Sequence, residues 1–290
     1  MPLPSDLPVV DHHCHLSPRG EGIAAARRFA RAGGTHLFLA TQNYAEHPPT
    51  TLDDYRAQFE TTAALAERLG TEAGVIAYPV VAPYPVDLVT VAPALGTDAA
   101  LALHLAALDL AGRLVREGRA VALGEVGLPH FDVPGDLRAA CERAFDHALA
   151  VAHDVGCPAV VHSADLDAGG YRELAARGRR AGLLPERIVK HYARARATEL
   201  DRAGIVPSYL ARRELVREAR CDPAPWFLET DFLDDPGRPG AVLDIATVPR
   251  RAEAAFRADP QAAEWLRRPF ESSIERVYGW RPHVGPRSTP

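Results

Sequence analysis

Short apolar runs alternate with longer segments whose apolar residues recur at helical spacing. The runs at 8–16, 35–41, 74–81, 120–127, 158–163, 187–191, 205–210 and 226–231 are five to nine residues long and rich in Val, Ile and Leu, as buried strands are. Between them, 22–32, 52–69, 98–117, 137–154, 170–180, 198–203 and 211–219 carry the Ala, Leu, Arg and Glu of helices, and a helical set spans 248–278. Gly33, Gly70, Gly118, Gly156, Gly182 and Gly204 stand where left-handed helix ends belong. Two Pro-rich stretches, 79–93 and 234–249, read as long loops.

Strands that alternate with helices predict parallel strands joined by right-handed crossovers. Eight such units in 290 residues predict one α/β domain spanning 1–290, a (β/α)8 TIM barrel whose site lies at the C-terminal ends of the strands. The alternative is an open doubly wound sheet. It would call for a glycine fingerprint after the first strand, and the chain has neither GxGxxG nor GxxxxGK[ST].

Composition narrows the function. The net charge of −5 excludes a strongly basic nucleic-acid clamp, so any phosphate contact is local or carried by bound cations. The four cysteines form no CxxC pair, which argues against a zinc ribbon and for reduced thiols in a cytoplasmic protein. The first residues lack the pattern of a secretory signal, and no apolar run is long enough to span a membrane. Of 33 basic residues only Lys190 is lysine, a compositional bias rather than a functional signal.

The chemistry sits at the strand ends. In Asp11-His12-His13-Cys14-His15, side chains at i and i+2 share a face, so His13 and His15 can converge on one ion, while parity turns His12 and Cys14 away. Glu125, His162, His191 and Asp231 each close a later predicted strand. That many ionisable groups at one barrel mouth would cost several kcal/mol each if uncompensated, and divalent cations are the simplest compensation. Four histidines and two carboxylates suffice for two ions with one carboxylate bridging. The same parity turns Lys190 out of the barrel, and with Glu125 available on the fourth strand no modified lysine is expected as a bridge. His36, His47, His104, His147, His153 and His283 follow no ligand spacing and read as surface or helix residues.

At these residues the chain resembles the TatD family of metal-dependent hydrolases, within the amidohydrolase-like barrels. The opening HxH motif, Gly124-Glu125-Val126-Gly127-Leu128, the strand 158–162 and Glu229-Thr230-Asp231 are all similar to family motifs, and 270–279 resembles its closing helix. The 231–251 run looks closer to an uncharacterised, largely archaeal branch than to the bacterial DNases. The resemblance implies His13, His15 and Asp231 on one metal, His162 and His191 on the second, and Glu125 between them. It also implies phosphodiester hydrolysis by a metal-activated water, with Asp231 as proton acceptor beside Glu125. The metals would be Zn, Mn, Mg, Fe or Ni. The family's motif Asp is replaced by Pro129 with His130 next, and the Arg expected after the fifth-strand His is absent.

His130, Arg194 and Arg238 are therefore the candidate substrate contacts. Nucleic acid or a small phosphodiester is the expected partner. The alternative is an amidohydrolase-type enzyme acting on a small amide, lactone or ester. Tyr44, Tyr84, Tyr192 and Phe232 could stack bases or line a pocket.

Overall fold

The computed structural model describes residues 3–194, 198 and 201–284. All strands are parallel. β1 (Val10–His15), β2 (His36–Ala40), β3 (Ile76–Val81), β4 (Ala122–Gly127), β5 (Ala159–His162), β6 (Ile188–Ala193), β7 (Val206–Leu210), β8 (Phe227–Glu229) and β9 (Phe232–Leu233) pair in the order β8-β7-β6-β5-β4-β3-β2-β1-β9. The two ends of that order, β8 and β9, are separated in sequence only by Thr230 and Asp231, so the sheet curls until its ends meet. The single eighth strand predicted at 226–231 is thus two short segments. Asp231 breaks them with a left-handed backbone (φ 48°), and its N–H bonds to the His13 carbonyl at 2.9 Å.

Helices α1 (Ile23–Arg31), α2 (Leu52–Ala73), α3 (Asp87–Leu95), α4 (Thr97–Arg116), α5 (Gly135–Val155), α6 (Ala168–Arg180), α7 (Arg213–Ala219), α8 (Thr247–Ala258), α9 (Ala262–Arg267) and α10 (Ser273–Tyr278) alternate with the strands or follow them. Two expectations are corrected. The 79–93 stretch is not one loop: β3 runs to Val81, and α3 forms despite Pro93. Its Leu88, Val91 and Ala92 bury against α4 and α5, and that packing outweighs the lost hydrogen bond. Helix α2 passes through Gly70 and ends at Gly74. Of the helix expected at 198–203, residues 199 and 200 lie outside the described residues, and 201–203 form a turn in which the Arg202 N–H bonds to the Thr198 carbonyl at 3.0 Å.

Each strand sorts its side chains between two cores. Phe38, Val80, Val160, Val189 and Phe227 share one cluster with Phe270, Ile274 and Tyr278 of the C-terminal segment. Leu123, Val161 and Ile188 face the opposite way, among residues of α4, α5 and α6. Both faces of the sheet are dry, as parallel sheets require. No helix among the described residues is long and apolar enough to cross a membrane.

Candidate metal centre

Register makes the first pair of histidines. β1 pairs with β2 as Val10↔His36 and Asp11↔Leu37, then as Cys14↔Leu39, so the register shifts between Asp11 and Cys14. One extra residue reverses side-chain parity beyond it. Cys14 therefore joins Leu37 and Leu39 on the helix side. His12 does not turn away as strict alternation predicts. It stacks on Phe227 (centroids 3.8 Å apart, 7° between planes), and its Nε2 meets the Tyr278 hydroxyl at 2.8 Å. Burial holds its pKa well below the ordinary histidine value.

His13 and His15 turn their Nε2 atoms towards each other at 3.2 Å. Asp231 Oδ1 lies 3.8 Å from His13 Nε2 and 3.6 Å from His15 Nε2. Glu125 Oε1 lies 2.8 Å from His191 Nε2, 3.2 Å from His13 Nε2 and 3.4 Å from His162 Nδ1. His162 Nδ1 and His191 Nε2 stand 3.0 Å apart. The sets His13/His15/Asp231 and His13/Glu125/His191 each gather three ligand atoms within 4.8 Å. All six side chains named from the strand ends meet at one place.

Glycine makes room for Glu125. A Cβ on Gly124 would come within 2.7 Å of Val80 and 2.8 Å of Val160. On Gly127 (φ 148°) it would overlap the His162 carbonyl. The Gly-Glu-Val-Gly run lets β4 sit tightly between β3 and β5 and brings Glu125 to His162.

Burial sets the electrostatics. It opposes ionisation of Glu125, but His191, His13 and His162 overcome it and hold the carboxyl well below its ordinary value. Burial likewise opposes charge on His191, yet Glu125 and Glu229 raise it to about 10. Burial pushes Asp231 up to about 6, against the pull of His13 and His191. His15 falls to about 4 through burial and the neighbouring His13. Ring nitrogens aimed at one another around shared carboxylates fit a divalent cation of the zinc, manganese, iron or nickel kind.

Three carboxylates that the sequence analysis left without a role support this centre. Asp11 bonds to Thr230 and to the His13 N–H. Glu229, fully buried, accepts the Tyr192 N–H at 2.7 Å and lies 3.6 Å from His191 Nδ1. Asp234 accepts the Ser17, Glu21 and Gly22 N–H groups at 2.7–2.9 Å and pins the loop after β1. Buried Lys190 donates to the His191 carbonyl at 2.5 Å. In sequence these residues look like ordinary polar positions; only their partners reveal them.

A cavity of about 720 Å³ opens over the centre, with Tyr44, Tyr84, Arg19 and Arg238 in its walls. Arg238 is 67% exposed and pairs with Asp235 at 2.9 Å. Arg194 is not among the cavity-lining residues; it is 74% exposed and pairs with Asp165. Exposed His130 places Nδ1 3.3 Å from His162 Nε2, which also faces the Tyr84 hydroxyl at 3.4 Å. Tyr192 and Phe232 do not line the cavity, and Phe232 instead packs beneath Arg28. His36 and His104 are buried, in β2 and α4, contrary to a surface reading of His36.

A curled parallel sheet with helices on its outer face and a histidine–carboxylate cluster at one end of its strands defines an α/β protein of the TIM-barrel-like class. The chain belongs to the TatD family: the model described as TatD related DNase matches residues 10–279. It is 29% identical over 284 residues to the uncharacterized protein MJ1127 of Methanocaldococcus jannaschii, covering 96% of this chain and 98% of that protein. Among solved structures it is similar to a TatD homologue of Escherichia coli K12 (TM-score 0.59, 20% identity, 93% of this chain and 98% of that one). It is also similar to a TatD-like protein of Archaeoglobus fulgidus (TM-score 0.56, 15% identity, 89% of this chain and 99% of that one). At these identities the two structures establish the fold.

Proposed function

We propose that the protein is a divalent-metal-dependent phosphodiesterase acting on nucleic acid or a smaller phosphodiester. In this reading His13, His15 and Asp231 hold one cation, His162 and His191 hold a second, and Glu125 lies between them, in an eight-unit (β/α)8 barrel mouth. The observation that carries it is Glu125 Oε1, within 3.4 Å of imidazole nitrogens from three different strands.

Zn, Mn, Mg, Fe or Ni ions bound there would supply Lewis acidity and lower the pKa of water. The chain's own groups do the rest. Asp231, held by its N–H to the His13 carbonyl, accepts the proton of the attacking water. Glu229 and Asp11 hold His191, His13 and the Thr230 corner in place from behind. His130 and Arg238, at the mouth, orient the phosphate oxygens. Arg194 is the weakest of the proposed substrate contacts, since its guanidinium is engaged with Asp165 outside the cavity wall.

The test is metal analysis of purified protein, then stripping, reloading, and assay on single-stranded DNA, bis(p-nitrophenyl) phosphate, lactones and amides. Two ions per chain and metal-dependent cleavage of either phosphodiester are expected. Hydrolysis confined to lactones or amides would replace this reading with the small-molecule amidohydrolase one.

A further inference from the structure

One wall of the cavity has a hydrogen-bonding polarity that can be worked out atom by atom. Thr41 follows β2 directly, Tyr44 lies in the loop beyond, and Gln58 and Thr62 project from α2. Thr41, Tyr44 and Gln58 line the same cavity as His15, Glu125 and Asp231.

The amide of Asn43 has one orientation. Its Oδ1 accepts the Ala45 N–H at 3.0 Å, and its Nδ2 donates to the His47 carbonyl at 2.9 Å. Both partners are backbone groups of fixed polarity, so the amide cannot be flipped. Gln58 must then turn Nε2 to Asn43 Oδ1, at 3.1 Å, which leaves Oε1 as the atom on the other side. Gln58 is 7% exposed, and that exposure is to the cavity.

The hydroxyls follow the same logic. Thr62 Oγ1 donates its one proton to the Gln58 carbonyl at 3.1 Å. Thr41 Oγ1 and Tyr44 Oη, each 2.9 Å from Thr62 Oγ1, must therefore donate to it. Their protons are spent and lone pairs remain. Tyr44 Oη also accepts the Gln42 N–H, so the wall presents Gln58 Oε1 and Thr41 Oγ1 as its acceptors.

We infer that this wall is a substrate subsite for a hydrogen-bond-donating group: a sugar hydroxyl or an exocyclic amino group on the nucleoside beside the scissile phosphate. The inference rests on the phosphodiesterase reading of the same site. Lone pairs repel phosphate oxygens, so the wall selects what the phosphate is attached to rather than the phosphate itself. A substrate without the donor leaves buried acceptors unpaired, which is how polar sites reject analogues.

The experiment compares metal-loaded wild type, Gln58→Leu and the nearly isosteric Thr41→Val. The substrates are bis(p-nitrophenyl) phosphate and the p-nitrophenyl esters of the 5′-phosphates of cytidine, 2′,3′-dideoxycytidine and uridine. The cytidine-to-dideoxycytidine ratio of kcat/KM reads the sugar hydroxyls; the cytidine-to-uridine ratio reads the amino group. Wild type should prefer the cytidine ester in at least one comparison, and each variant should cut that preference by about tenfold, the worth of one hydrogen bond. Ratios equal in all three proteins would overturn the subsite while leaving the phosphodiesterase reading intact. Should wild type cleave none of the four diesters, calorimetric titration with cytidine and dideoxycytidine decides. Cytidine binding that Gln58→Leu abolishes would sustain the subsite and sink the phosphodiesterase reading; no binding would overturn the subsite as well.

Discussion

The Asp11 carboxylate and Thr230 are bound to each other twice: Oδ1 accepts the Thr230 N–H at 2.9 Å and Oδ2 the Thr230 hydroxyl at 2.5 Å. Both residues are fully buried, 219 positions apart. The pair ties β1 to the break between β8 and β9, one residue from Asp231 and two from His13. Burial raises the Asp11 pKa to about 7 against the pull of these bonds. Thr230→Val leaves Asp11 Oδ2 without its donor and should cost about 1–3 kcal/mol in urea unfolding. Thr230→Ser should restore most of it. Unchanged stability in Thr230→Val alongside a loss in Thr230→Ser would show that the methyl group, not the hydroxyl, matters.

Gly127→Ala tests how β4 delivers Glu125. The new Cβ overlaps the His162 carbonyl, and the φ of 148° suits only glycine. We expect a loss of at least about 3 kcal/mol, or a displaced β5 with weakened metal binding. An alanine variant with wild-type stability and metal content would contradict the packing described for β4 and β5.

The two carboxylates proposed as metal ligands should differ in their effect on metal content. Glu125 Oε1 approaches His13, His162 and His191, whereas Asp231 Oδ1 approaches only His13 and His15. Glu125→Gln should weaken both proposed ions, and Asp231→Asn mainly one. Bound metal per chain after dialysis against a chelator, read by elemental analysis, distinguishes them. Equal losses would remove the bridging role assigned to Glu125.

Buried histidines away from the centre set an acid limit on stability. Burial lowers His36 and His104 to about 4, below the unfolded value near 6.5. Between those values the unfolded chain binds more protons, so stability rises with pH through the window and is fully present above about 6.5. As pH falls from 6.5 to 4, each group withdraws at most about 3 kcal/mol. Urea unfolding at pH 7.5 and 5 should show the loss, and His104→Leu should flatten the slope. An unchanged slope would mean that His104 is protonated in the fold.

Much of the centre was legible along the chain. Strand-end residues of parallel strands point to one rim, so His13, His15, Glu125, His162, His191 and Asp231 could be named from periodicity and termination alone. Three things were not legible. The shift between Asp11 and Cys14 placed His12 in the interior, because a register irregularity arises between strands. Helix α3 formed around Pro93 because α4 and α5 bury its apolar side. Arg194 left the cavity because Asp165 captured it.

Along the chain, the alternation of apolar runs decides that there are parallel strands and that their ends carry histidines and carboxylates, since that pattern depends only on local periodicity. Which polar groups face each other was decided in three dimensions. Asp11 met Thr230, Glu229 met Tyr192, and Gln58 turned its Nε2 to Asn43 Oδ1, because a hydrogen bond is a relation between distant residues whose direction depends on the partner.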